Sequence, residues 1–218
     1  MFAISADDQH WLKAKWQALT TSVAADNAAS DATWDMLVRH YSEPHRAYHN
    51  LSHIMAMLRH ADANRDHISS VATIEFAIWF HDAIYDTPAK NNEERSAACA
   101  REAMQRMGID DALIASVESC IVATAKHEVI SGVRDLPLFL DIDLAILGAP
   151  DPLYRQYSEA IRTEYNWVPG PAYRFGRGEV LKRFAQRTTL FFTPAMAARF
   201  EAQARRNLAF EIDDLSFF

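Results

Sequence analysis

The sequence predicts an all-α protein that forms a single domain. Six glycines among 218 residues leave few places for the tight turns of β-hairpins. Apolar residues recur instead at the i, i+3, i+4 and i+7 spacing of amphipathic helices. Half of the residues are apolar, which supplies enough side chains for one sizeable core.

The first two predicted helices cover residues 7–19 and 31–40. The first places Trp16 and other large side chains on one face at helical spacing. Asp31 is a suitable N-cap for the second, because its carboxylate can accept a hydrogen bond from a free backbone N–H. Pro44 then opens a short turn of helix, since proline suits a first helical turn.

The next two helices contain most of the residues that suggest chemistry. The helix predicted from residue 51 to about residue 64 has an apolar face made of Leu51, Ile54, Met55 and Leu58. His53 falls roughly on its opposite face, which could line a polar pocket. The helix predicted over residues 71–81 is apolar almost all round, which indicates a buried central helix.

Six further helices are predicted in the rest of the chain. Two of them stop at a glycine, Gly108 and Gly148, as helices often do. A loop rich in proline and glycine, 168–171, separates two of the others. The six helices cover residues 91–107, 110–124, 136–147, 152–165, 179–187 and 194–210.

Composition excludes several classes of partner. The net charge is −7 and no basic block is present, so binding to a nucleic acid polymer is not favoured. The N-terminal residues lack the pattern of a signal peptide, and no apolar stretch reaches the roughly 20 residues that a membrane span needs. Cys99 and Cys120 have neither disulfide-like nor zinc-like spacing, which is typical of a reduced cytoplasmic protein. The lack of a long apolar stretch predicts that the protein has no membrane partner.

A small set of residues is suited to bind a metal ion. His81 and Asp82 are adjacent at the polar end of an apolar helix, and imidazole with carboxylate suits borderline divalent ions. His53 is upstream on its own helix. Asp141 and Asp143 lie downstream in an otherwise apolar helix, where aspartates are seldom buried without a partner or a metal.

Four stretches of the sequence resemble the HD superfamily of metal-dependent phosphohydrolases. Within this superfamily, the stretches resemble a bacterial branch described as predicted metal-dependent HD phosphohydrolases. The resemblance runs from about Tyr41 to the C-terminal region. The stretches are YSEPHRAYHN (41–50), WFHDAIYD (79–86), NEERSA (92–97) and FLDIDLAILG (139–148).

The resemblance implies a fold, a ligand set and a chemistry. The fold would be an HD-type helical bundle, with a metal-site core over about 41–150 and C-terminal helices over 151–218. The ligands would be His53, His81, Asp82 and Asp143. Asp141 would lie outside the coordination sphere or at a helix start, and it is also a possible metal or substrate residue. They would hold Mn, Fe, Co, Ni, Mg or Zn, as one ion or, with Asp82 bridging, as two. Bound water of lowered pKa would attack a phosphoryl group.

Further residues are candidates for roles around the ion. His49 could join His53 on one ion if the helix runs through Asn50, and His127 resembles an extra histidine of some HD proteins. His127 could equally complement a helix dipole at a C-terminus.

Other candidates would act on the substrate side. Arg46 and Lys126 could hold phosphate oxygens, although each could also be an ordinary solvated cation. Asp86 could orient a ligand imidazole or act as a base, as a second catalytic residue beside Asp82. Glu43 flanks the site, and Glu94 could be either on the substrate side or a first-turn acid that complements its helix dipole.

An aromatic and arginine-rich zone follows in the C-terminal part. Its residues could stack a base and hold a phosphate, but packing of the C-terminal helices is the preferred interpretation for its tyrosines. The zone consists of Tyr154, Tyr157, Arg162, Tyr165, Arg174 and Arg177.

These observations favour a cytoplasmic metal-dependent phosphohydrolase acting on a small phosphorylated metabolite, with a nucleotide as one candidate. Homo-oligomerisation is left open. One alternative is a di-iron oxygenase, which His49 and His127 keep open and which oxygen consumption with ferrous iron would identify. The other is a regulatory module that binds a nucleotide without turning it over. Fold alone does not decide between them.

Overall fold

The computed structural model describes residues 4–130 and 132–216 and confirms the all-α prediction. Within this part of the chain there are ten α-helices, two short 3-10 helices (Arg65–His67 and Ala145–Gly148) and no strand. The α-helices are α1 (Ala6–Ser22), α2 (Asn27–Tyr41), α3 (Leu51–Ala63), α4 (Val71–Phe80), α5 (Asn92–Arg106), α6 (Asp111–Ala123), α7 (Leu136–Leu144), α8 (Asp151–Glu164), α9 (Gly170–Ala185) and α10 (Pro194–Ser216).

Several predicted boundaries are wrong for local reasons. Asp26, not Asp31, caps α2, because its carboxylate accepts from the backbone N–H of Ala29. Pro44 lies in a turn and opens no helix. α9 begins at Gly170, inside the predicted loop, because Pro171 occupies its first turn and suits that position.

The chain divides into two compact units, one running up to Leu140 and the other from Asp141 onwards. The boundary falls inside α7, before the division predicted at about residue 150. Among the described helices, none is long and apolar enough to cross a membrane.

The first unit is organised around α4, whose residues from Thr73 to Phe80 are all buried. The helix begins where Ser70 caps it, and the carboxylate of Asp135 accepts from the backbone N–H groups of Ser69 and Ser70. Trp79 packs edge-on against Trp16, with ring centroids 5.6 Å apart. α4 is therefore the central helix that its sequence predicts.

α3 is held differently from the sequence prediction. Leu51, Ile54 and Leu58 are buried as expected, but Met57 takes the core position predicted for Met55. His53 is also buried, at 4 % exposure, although its position opposite the apolar face predicted a more open setting. The buried surface of α3 therefore extends around to the candidate ligand.

The second unit contains α8, α9, α10 and the 3-10 helix that ends at Gly148. A Cβ atom at Gly148 would lie 2.6 Å from the Cβ and 2.8 Å from the backbone oxygen of Phe200, so no side chain fits there. Nearby, the side-chain amide of Asn207 donates to the carbonyl oxygens of Leu147 and Ala149. These contacts hold α10 close against the start of the unit.

Candidate metal centre

His81 is positioned by the end of α4. It follows the last helical residue, and its Nδ1 lies 3.0 Å from the carbonyl oxygen of Ile78. A carbonyl oxygen only accepts, so Nδ1 carries the proton and Nε2 of the neutral ring keeps its lone pair. The ring is 2 % exposed and packs edge-on against Phe139. The sequence therefore provides a buried imidazole whose Nε2 has a fixed direction.

His53 approaches that nitrogen from α3. Its Nε2 lies 3.2 Å from Nε2 of His81, and its ring packs against Tyr48 with centroids 4.9 Å apart. Both rings are buried, so neither can turn freely into solvent. Two imidazole nitrogens that are 28 residues apart in sequence thus meet at one point.

Asp82 adds a carboxylate beside the His81 ring. Its Oδ2 lies 3.0 Å from Nε2 of His81, and its side chain is partly exposed. A lone pair and a carboxylate oxygen at this distance repel each other unless a proton or a cation lies between them. The donor set therefore suits a positive ion.

The spacing of these atoms fits first-row divalent metals. Ligand distances of about 2.0–2.1 Å place neighbouring donors about 2.9 Å apart in an octahedron and about 3.4 Å apart in a tetrahedron. The separations of 3.0 Å between His81 and Asp82 and 3.2 Å between His53 and His81 fall within this interval. Each of these two pairs, His53 with His81 and His81 with Asp82, therefore has the spacing of neighbouring donors on one ion.

Asp143 lies on α7, in the part of that helix that belongs to the second unit, and its side chain is partly exposed. Its place in the ligand set stays a prediction. Within the first unit, the structure brings together two imidazoles and one carboxylate, which are the ligand types that the sequence predicts.

Asp141 has a structural role. It is fully buried, and its carboxylate accepts from the backbone N–H of Phe192 at 2.7 Å and from both the N–H and the hydroxyl of Thr193. Burial raises the pKa of Asp141, and these hydrogen bonds oppose the rise. They occupy both oxygens at the start of α10, so the geometry does not support Asp141 as a metal or substrate ligand and favours its placement at a helix start.

His49 lies outside α3, contrary to the condition under which it would join His53 at helical spacing. Asn50 ends the turn as an N-cap in an extended conformation, and its side-chain oxygen accepts from the backbone N–H of Ser52. His49 Nε2 is nevertheless 4.0 Å from Oδ2 of Asp82, and its ring lies against Tyr85 with centroids 4.3 Å apart. His49 therefore lies near the Asp82 carboxylate although it is not part of α3.

Arg46 does not have the exposed setting predicted for a phosphate contact. Its side chain is fully buried, and its Nε donates to Glu43. Its two terminal nitrogens donate to main-chain carbonyl oxygens in the segments that contain His49 and Asp82. The flanking position predicted for Glu43 is therefore occupied by an ion pair with Arg46.

The loop after α6 contains two further candidate residues, one for metal binding and one for phosphate binding. His127 has a left-handed backbone conformation (φ 49°), and its N–H donates to the carbonyl oxygen of Ala123. Lys126 beside it is exposed. His127 thus closes the C-terminal turn of α6, in line with its dipole-side interpretation, and the metal and phosphate roles of the two residues stay predictions.

Asp86 and Glu94 are both exposed. Among the described residues, the Asp86 carboxylate pairs with Arg95 at 3.9 Å and makes no hydrogen bond to a ligand imidazole. Its backbone N–H donates to the side-chain oxygen of Asn92 at 3.1 Å. The geometry therefore does not support the orienting role predicted for Asp86. Glu94 lies in the first turn of α5, where an acid complements the helix dipole.

The aromatic and arginine zone is a packing network inside the second unit. Glu211 accepts a forked pair of hydrogen bonds from Arg177, and Tyr154 and Ser158 also donate to it. Burial opposes ionisation of Glu211, but the hydrogen bonds and the charge of Arg177 outweigh it, so its pKa lies below the usual value. The packing interpretation of Tyr154 and Tyr157 fits this arrangement.

Two contributors to the centre were not identified from the sequence. Tyr85 stacks on His49 and also lies under the guanidinium of Arg46. Tyr41 lies on another side of that guanidinium, and its hydroxyl donates to the carbonyl oxygen of Trp79. Their only sequence signal is proximity to the histidine motifs.

Comparisons of the chain with protein-family models, curated proteins and solved structures found no match, so the geometry alone supports the site.

Proposed function

We propose that this protein is a metal-dependent phosphohydrolase that acts on a small phosphorylated metabolite. The observation that carries the proposal is the position of Nε2 of His81, which lies 3.2 Å from Nε2 of His53 and 3.0 Å from Oδ2 of Asp82. Three such donors leave open positions on a six-coordinate ion. Open positions are what separates a catalytic metal site from a structural one.

Each residue has a role that follows from its setting. His53 and His81 would bind the ion through Nε2, and the bond from Nδ1 of His81 to the carbonyl of Ile78 keeps that ring in the productive tautomer. Asp82 and Asp143 would supply negative charge to retain the ion. When bound, a divalent ion supplies a water of lowered pKa and offsets charge on a phosphoryl oxygen.

The substrate class follows from charge and from the resemblance. The chain has a net charge of −7, so its overall field does not attract a polyanion, whereas a local metal centre attracts a single phosphate group. A small phosphorylated compound, with nucleotides among the candidates, is therefore the proposed substrate. A cytoplasmic location and a homo-oligomeric state belong to the same proposal, and the free thiols of Cys99 and Cys120 support the former.

The test begins with metal analysis of the purified protein and continues with a screen of phosphate esters with and without Mn²⁺. We expect a bound transition metal and Mn²⁺-dependent release of phosphate that Asp82→Asn abolishes. Tight nucleotide binding without product would identify the regulatory module instead. Release of phosphate that is independent of metal would contradict the proposal.

The position of His49 favours one second candidate, a di-iron oxygenase. His49 lies 4.0 Å and His81 lies 3.0 Å from the same oxygen of Asp82, so this carboxylate could serve two ions. Oxygen consumption by the Fe²⁺-loaded protein in the presence of a substrate, with no phosphate release, would establish this alternative over hydrolysis.

A further inference from the structure

We propose that Arg46 is a positioning residue that fixes the direction of the Asp82 carboxylate. This inference rests on the proposed function, because it assigns Arg46 a role in the same metal centre. The side chain of Arg46 is fully buried, which is unusual for an arginine and requires that its donors be satisfied.

The guanidinium joins two segments that are far apart in sequence. Nη1 donates to the carbonyl oxygens of His49 at 3.1 Å and Asp82 at 2.6 Å, and Nη2 donates to the carbonyl of Ala83 at 3.0 Å. The two carbonyls on the Asp82 side belong to consecutive residues. Because both are held by one rigid fork, the peptide plane that follows Asp82 cannot rotate without breaking a hydrogen bond.

The guanidinium itself is held in place. Its Nε donates to the Glu43 carboxylate at 2.9 Å. The rings of Tyr41 and Tyr85 lie 5.1 Å and 5.4 Å from its central carbon, which is within the range of cation–π attraction. Arg46 is thus a fixed point of the site.

The side chain of Asp82 extends from this fixed peptide toward His81. Its Oδ2 lies 3.0 Å from Nε2 of that ring, while its carbonyl oxygen accepts from Nη1 of Arg46 at 2.6 Å. The end of α4 before it is held as well, because the hydroxyl of Tyr41 donates to the carbonyl oxygen of Trp79 at 3.0 Å.

Lysine cannot reproduce this arrangement. An ammonium group donates from one point, whereas these four acceptors require a planar fork with a separate Nε–H. Arg46→Lys should keep the charge and lose the geometry. We expect its affinity for Mn²⁺ to fall about 10–100-fold, the usual effect of losing a group that orients a metal ligand.

Arg205 offers a matched control. Its Nε donates to Glu201, and its terminal nitrogens donate to the carbonyls of Ala185, Arg187 and Thr188, in the same pattern as Arg46. None of these carbonyls belongs to a candidate ligand. Arg205→Lys should therefore lower the thermal midpoint as Arg46→Lys does, while its Mn²⁺ affinity stays that of the wild type.

The experiment measures Mn²⁺ affinity by calorimetry and coordination by the absorption spectrum of Co²⁺ added alone. The wild type is titrated first, and if it binds neither ion, the proposed function fails. If it binds and Arg46→Lys binds equally well, the function stands and the positioning role is overturned. Should Arg46→Lys not fold, Glu43→Ala decides, because it removes the partner of Nε and keeps the arginine donors to the three carbonyl oxygens. A smaller loss of Mn²⁺ affinity supports the role, and unchanged affinity overturns it.

Discussion

Asp141 and Thr193 are joined by two hydrogen bonds, one from the backbone N–H at 2.7 Å and one from the hydroxyl at 2.6 Å. They lie 52 residues apart, and the contact fixes the entry to α10. The first of two aspartates in one triplet therefore has its oxygens occupied within the fold, and the second stays the candidate ligand.

Asp141→Asn should destabilise the protein and leave metal binding unchanged. The amide turns one acceptor into a donor that faces backbone N–H groups, which should cost about 1–3 kcal/mol of unfolding free energy. Urea unfolding and Mn²⁺ titration measure the two effects separately. Thr193→Val, which removes only the hydroxyl, should show a smaller loss of stability. Loss of Mn²⁺ binding with normal stability would mean that Asp141 is a ligand after all.

Asp82→Asn should abolish phosphate release and weaken Mn²⁺ binding by more than the roughly 10–100-fold that outer-sphere substitutions cost. The amide keeps the shape of the side chain and removes its charge, so the circular dichroism spectrum should not change. Asp86→Asn is the matched control, because that carboxylate is exposed and pairs only with Arg95 among the described residues. Full activity of Asp82→Asn would refute the phosphohydrolase proposal.

Asp143→Asn tests the fourth ligand. We expect weaker Mn²⁺ binding with little change in unfolding free energy, because the side chain is partly exposed and its charge serves the ion. Asp141→Asn should show the opposite pattern, with lower unfolding free energy and unchanged Mn²⁺ affinity. Equal Mn²⁺ affinity of Asp143→Asn and the wild type would remove Asp143 from the ligand set.

Glu211→Gln should lose stability in a pH-dependent way. Removing the charge leaves Arg177 buried without its partner, which should cost about 3–5 kcal/mol at neutral pH. The pKa of Glu211 is lowered in the folded state, so its contribution is complete above its ordinary pKa and is lost as pH falls through the lowered value. Thermal midpoints of both proteins across acidic pH should converge at the acid end. A difference between the two thermal midpoints that stays constant down to low pH would contradict this prediction.

The two cysteines should be dispensable for metal binding. Cys120 is fully buried and burial raises its pKa to about 12, so it remains a thiol rather than a thiolate ligand. A Cys99→Ala and Cys120→Ala double variant should bind Mn²⁺ normally and lose about 1 kcal/mol per site of stability. Calorimetry and urea unfolding measure both. Loss of the metal in this variant would show that the ligand set is wrong.

The sequence predicts those features that depend on local pattern. The apolar run of α4 and the periodic face of α3 gave helices with the correct core, and the ligand types came from the residues that interrupt these patterns. The condition set for His49, a helix that runs through Asn50, is not met, because one capping hydrogen bond, from the N–H of Ser52 to Asn50, decides where α3 begins. A cap residue one position from a candidate ligand changes its geometry without altering the periodicity.

Arg46 could not be assigned from the sequence for a different reason. Three of its partners are backbone carbonyl oxygens. Because every residue has a carbonyl oxygen, no residue type near position 82 or 83 indicates the contact. The same holds for Asp141, whose acceptor oxygens bind N–H groups 51 and 52 residues away. Side chains that bind backbone across long sequence distances leave no pattern in composition or spacing.

The close approach of Gly148 to Phe200 has a practical consequence. Gly148→Ala would force a methyl group against backbone atoms, and overpacking of this kind costs about 1–3 kcal/mol or more. Against a total stability of about 5–15 kcal/mol, such a loss is tolerable in the cold and decisive on warming. The substitution should therefore behave as a temperature-sensitive allele, which would let a cell be deprived of the protein on warming and show whether a phosphorylated compound then accumulates, as the proposed function predicts.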